Sequence, residues 1–131
     1  MATTVTYSND VLRVQPKLKT ITSAYTATLS DAGTVFLSKD GADLTLPAVT
    51  EGFACKLYIG EAATQDSTIV LTAPSGTLEG VIIEGSAAVL AVNGATTITF
   101  ATGSEYGDYV EIFSDGTAYI VNGMARGATV S

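Results

Sequence analysis

The run Phe53-Ala54-Cys55-Lys56-Leu57-Tyr58-Ile59 sets the fold class. Phe53, Cys55, Leu57 and Ile59 recur at every second position, with Lys56 and Tyr58 opposite. A period of two puts alternate side chains on opposite faces of a pleated strand, so one face is apolar and meets a core. The same pattern repeats on both sides of it. Ile21–Leu29 alternates Ile21, Ser23, Tyr25, Ala27 and Leu29 on one face. Further extended runs are Thr34–Ser38, Asp43–Leu46, Ser67–Thr72, Thr77–Glu84, Ala87–Val92, Thr96–Ala101, Tyr109–Phe113 and Thr117–Val121. Turn residues separate them: Asp31-Ala32-Gly33, Asp40-Gly41, Gly85-Ser86, Asn93-Gly94 and Ser114-Asp115-Gly116-Thr117. Asp-Gly at 115–116 reads as a type I′ hairpin turn, and Pro47 ends its strand or marks an edge. No segment sustains a 3.6-residue apolar period, and Glu61–Gln65 holds one helical turn at most. The expectation is an all-β fold of about ten short strands, an antiparallel β-sandwich or barrel-like module. Whether the strands close as a sandwich, a barrel or a short β-helix-like stack stays open at this level.

The chain has 131 residues, enough for one domain and its core. Residues 21–122 form the expected β-rich body, residues 1–20 an extended N-terminal arm, and residues 123–131 a small tail. Six Lys and Arg face thirteen Asp and Glu, a net of -7. The distribution is uneven. Arg13, Lys17 and Lys19 against Asp10 leave the arm at +2, whereas Lys39, Lys56 and Arg126 against twelve acids leave the rest at -9. A body of that sign repels phosphate, so no nucleic-acid partner is expected. Only 15% of residues are charged and 47% are hydrophobic, a balance that points to a protein that hides apolar surface by assembling. The uncharged stretch Gly85–Ser104 is broken by Asn93-Gly94 and reads as two strands around a turn, so no membrane partner is expected either. The first residues lack the charged and apolar regions of a secretory signal.

The chain has no His, no Trp and a single Cys. Imidazole bases, Ser-His-Asp triads, His-bearing zinc sites and internal disulfides are therefore excluded. Carboxylate pairs are the remaining route to catalysis, and the close groups are Asp40/Asp43, Glu79/Glu84 and Glu105/Asp108/Glu111. Most acids adjoin Gly in turns, which is ordinary turn chemistry, and the aromatic platform of a sugar site is thin. Asp40-Gly41-Ala42-Asp43 lacks the ligand density of a calcium loop. Cys55 lies on the apolar side of its strand and reads as a buried structural thiol. The expectation is a protein that is not an enzyme, with no metal and no cofactor.

From Asp31 to Asn122 the chain resembles the small β-rich modules of tailed-bacteriophage virions, found in head decoration (cement) proteins and in tail-fibre or tailspike segments. The residues that carry the likeness are Thr34-Val35-Phe36-Leu37, Leu44-Thr45-Leu46-Pro47-Ala48, Gly52 before Phe53–Ile59, Ile69-Val70-Leu71-Thr72-Ala73 and Gly107–Val121. The chain departs from the pattern at Tyr119, where Trp is frequent, and across Leu78–Gly85, where the middle step is stretched. Its shortness, with a Met1, an arm and one module, favours a stand-alone decoration protein over a fibre segment. The resemblance implies a homotrimer on the capsid exterior, assembled in the host cytoplasm, with the major capsid protein as partner. Arg13, Lys17 and Lys19 would make charge-assisted contacts there, and Val11, Leu12 and Val14 would add a strand to a neighbouring chain. The alternative is a tail-fibre or baseplate module binding the host surface through Tyr58, Tyr106, Tyr109 and Tyr119. A carboxylate hydrolase and a secreted adhesin-like module rank below both.

Overall fold

In the computed structural model, which describes residues 17–62, 69–86 and 88–131, the period-two runs become strands of two packed sheets. In chain order the first six strands are β1 (Lys17–Ile21), β2 (Tyr25–Thr26), β3 (Thr34–Ser38), β4 (Leu44–Thr45), β5 (Ala54–Ile59) and β6 (Ile69–Thr72). The last six are β7 (Leu78–Glu84), β8 (Val89–Ala95), β9 (Thr97–Phe100), β10 (Tyr109–Ser114), β11 (Tyr119–Ala125) and β12 (Ala128–Val130). A 3-10 turn spans Leu29–Asp31. One sheet has seven strands in the order β1-β3-β5-β10-β11-β7-β8, and the other has five in the order β12-β9-β6-β4-β2. The all-β, sandwich-like class agrees with the sequence, with twelve strands among the described residues where about ten are expected.

The expectation of antiparallel sheets needs correction: both are mixed. β1, β3 and β5 run parallel in the larger sheet, and β2, β4 and β6 run parallel in the smaller one. The chain thus passes from one sheet to the other and back, three times, as a short coil. Parallel neighbours need a crossover, and here the crossover is a strand of the opposite sheet. The Lys39–Ala42 turn shows how. Asp40 and Gly41 both adopt positive φ (55° and 67°), Ala42 N–H bonds Lys39 O at 3.1 Å, and the chain leaves toward β4 in the facing sheet. Period-two alternation looks the same whichever way the neighbour runs, so the sequence could not separate the two cases. After β6 the direction reverses, with β9 antiparallel to β6 and β10 antiparallel to β5. The edges at β1, β8, β2 and β12 leave the barrel alternative without support among the described residues.

Two turn expectations also change. Asn93-Gly94 is no hairpin turn; both residues lie inside β8, where Gly94 (φ 68°) is the extra residue of a bulge facing Leu78 and Glu79. At Asp115-Gly116 only Gly116 has positive φ, so the loop is not type I′. Asp115 Oδ1 instead accepts the amides of Thr117 and Ala118 at 2.8 and 2.9 Å, which widens the loop to four residues between β10 and β11. At the ends, β1 begins within the expected arm, and the expected tail contains the end of β11 and all of β12. The helical turn at Glu61–Gln65 lies largely outside the described residues.

The inner faces of the two sheets share one core. Phe36, Leu57, Ile59, Tyr119 and Ile82 of the larger sheet meet Leu44, Leu71, Ile98 and Phe100 of the smaller, all at 0% exposure. Burying each such side chain is worth about 1.5–3 kcal/mol.

Candidate functional site

Four of the seven acids that the sequence offers for catalysis, Asp43, Glu79, Asp108 and Glu111, are occupied in local structure. Asp43 Oδ1 accepts the Val70 amide at 2.8 Å, and Glu79 accepts the Thr77 hydroxyl and the Gly94 amide at 2.8 and 3.1 Å. Asp108, only 5% exposed, accepts the Glu105 and Arg126 amides on Oδ2 and the Arg126 guanidinium on Oδ1, each at 2.9 Å. Glu111 pairs with Lys56 at 3.3 Å on the outside of the larger sheet. Among the described residues no three His, Cys, Asp or Glu side chains converge as metal ligands.

Cys55 is buried, and burial, reinforced by the charge of Asp31, pushes its thiol up to about 12. It is protonated at neutral pH and has the character of a core residue. Tyr119 is likewise fully buried. Its hydroxyl donates to Pro47 O, its ring meets Phe53 edge-on at 6.4 Å, and burial, followed by the neighbouring Cys55, raises it to about 12. Tyr119 therefore leaves the set of surface tyrosines. Tyr58 and Tyr109 remain in it, stacked at 5.3 Å between ring centres, and Tyr106 stands 67% exposed.

Of the residues expected to contact a capsid, Val11, Leu12, Arg13 and Val14 lie outside the described residues. Lys17 and Lys19 sit on β1, one of the two edge strands of the larger sheet among the described residues. Both also reach back to their own body. Lys17 Nζ donates to Ser30 O at 3.0 Å, and Lys19 Nζ donates to the Tyr25 hydroxyl at 2.8 Å and lies 4.1 Å above that ring. Tyr25 passes the chain of bonds on to Asp31 Oδ2 at 2.9 Å, which also accepts the Thr28 amide. Burial pulls the Asp31 carboxyl upward, but the Thr28 amide, the Tyr25 hydroxyl and the Lys19 charge together hold it below its ordinary value. Leu18, between the two lysines, is 67% exposed on the outer face.

Sequence reasoning missed that outer face. On the larger sheet the side chains pointing away from the core include Leu37, Tyr58, Tyr109, Phe113, Ile120, Met124, Val81, Ile83 and Val89. A shallow groove of about 650 Å³ crosses it, lined by Gly33, Val35, Ala54, Lys56, Tyr58, Glu111, Phe113 and Asn122. A signal was present. Val81-Ile82-Ile83 is apolar on both faces, and Tyr109 and Phe113 flank Glu111 on the side opposite Val110 and Ile112, a pattern of a sheet covered on both sides rather than solvated on one.

Compared with known proteins, the chain matches no family model, no curated protein and no solved structure.

Proposed function

We propose that this chain is a non-enzymatic virion structural protein, a head decoration (cement) protein that binds the outer surface of an assembled capsid as a homotrimer. The supporting observation is the basic end of the molecule. β1 brings Lys17, Lys19 and the exposed Leu18 to one described edge of the larger sheet, at the end of a body that otherwise carries -9. Residues 1–16, with Arg13, lead directly into that strand. An outer strand of this kind takes a further strand from a partner by main-chain hydrogen bonding, while the lysines favour an acidic surface. The partner is the major capsid protein. Binding only to the assembled shell adds free energy to that state and stabilises it by mass action.

The test is co-sedimentation of the purified chain with undecorated, expanded capsids. Saturable binding in multiples of three is expected, with removal of residues 1–16 weakening it about tenfold or more. Full-length protein that leaves capsids bare would sink the proposal. A second reading, a tail-fibre or baseplate module, draws on the stacked Tyr58 and Tyr109 as a platform for a host-surface sugar. Antibody labelling of virions separates the two, because the label falls on the head in one and on the tail in the other.

A further inference from the structure

The two outer faces of the sandwich use strand-forming residues in opposite ways. On the five-stranded sheet Thr26, Thr45, Thr72 and Thr97 stand side by side on β2, β4, β6 and β9. Thr is β-branched and hydroxylated, suited to a strand face that meets water. On the seven-stranded sheet the equivalent row is Leu37, Tyr58, Tyr109, Met124, Ile83 and Val89, directly opposite one another on six adjacent strands. Ile83, Met124 and Val89 are 42%, 49% and 68% exposed, and Phe113 in a parallel row is 49% exposed. Exposed apolar side chains in a row across six strands are unusual on a free monomer, even with Lys56, Glu111 and Asn122 in the row beside them.

We infer that the outer face of the seven-stranded sheet is the surface through which copies of this chain associate, each face meeting faces of other copies about a symmetry axis. The inference deepens the oligomeric part of the proposed function and rests on it, and it is independent of what the oligomer then binds. Charge selects the occupant. Lys56 and Glu111 neutralise each other at 3.3 Å in the middle of the face, so its centre has no net charge for an acidic or basic partner to read. The chain as a whole carries -7, and two copies repel least at this face, where the Lys56–Glu111 pair cancels and Glu79, at one end, is held by Thr77 and the Gly94 amide. Size agrees. At the usual strand spacing the face spans roughly 30 Å by roughly 20 Å, an area of about 600 Å² before side-chain relief, the order of the ~800 Å² each partner gives a standard interface.

The experiment is sedimentation of the full chain up to roughly 100 μM, comparing wild type with Met124→Lys, Phe113→Lys and, on the opposite face, Thr99→Lys. Wild type and Thr99→Lys should form the same oligomer, while Met124→Lys and Phe113→Lys raise the dissociation constant about a hundredfold or more. Circular dichroism checks that each variant folds, and Asn122→Lys, exposed on the same face, replaces either that does not. A monomeric wild type overturns both the inference and the oligomeric reading beneath it. An oligomer that survives both lysines, or that only Thr99→Lys dissolves, overturns the face and leaves the oligomer standing.

Discussion

Asp108 is a buried charge whose surroundings satisfy it completely, with two amides and a guanidinium on its two oxygens. Breaking such a pair from one side leaves the other polar groups without partners. Asp108→Ala is therefore expected to lower unfolding free energy by about 3 kcal/mol, read from urea midpoints. Tyr119→Phe is milder. It keeps the packing against Phe53 but leaves Pro47 O unpaired, at a cost of about 1 kcal/mol. Cys55 should resist thiol reagents in the native state and react once denaturant opens the core; rapid native labelling would contradict its burial. The alternating run around Cys55 made its depth legible in the sequence. Asp108 was not legible, because its partner Arg126 is eighteen residues away and reaches it only after β10 and β11 have paired.

β1 is the element whose role changed most between sequence and structure. Its pairing with β3 makes it part of the body, held further by the Lys17–Ser30 and Lys19–Tyr25 bonds. Deleting residues 1–16 leaves all of β1 in place and serves as the reference. Deleting through Ile21 removes a strand and the buried Ile21, and should cost roughly 3 kcal/mol or more. Equal melting temperatures for the two truncations would show that β1 does not support the fold. The bulge at Gly94 offers a finer test. A Cβ there meets nothing within 4 Å, so Gly94→Ala isolates the cost of its positive φ, about 1 kcal/mol. Strand positions were legible because alternation is local. The bulge was misread as a turn because Asn-Gly suits both, and the choice depends on Glu79, whose carboxylate holds the Gly94 amide from the neighbouring strand.

At the scale of the whole molecule, stability should fall at both ends of the pH range. Asp31 is held below its ordinary value of 3.8, so it stabilises the fold above that pH, and the contribution is lost as pH falls through the lowered value. Cys55 and Tyr119 are raised from 9.0 and 10.0 to about 12. Below pH 9 both are protonated whether folded or not; above it the unfolded chain ionises first, and the folded state loses ground until about 12. Urea midpoints should therefore decline between about pH 9 and about pH 12, and a rising midpoint there would refute that account. The sequence by itself determined the all-β class, the positions of most strands, the inert thiol and the separation of a basic leader from an acidic body. All of these are set by neighbours along the chain, through period-two burial and summed charge. Only the tertiary structure decided which strands run parallel, that β1 and β12 belong to the sandwich, and that one outer face is apolar across six strands. Those features arise between residues distant in sequence, and alternation specifies which way a side chain points but not which strand lies beside it.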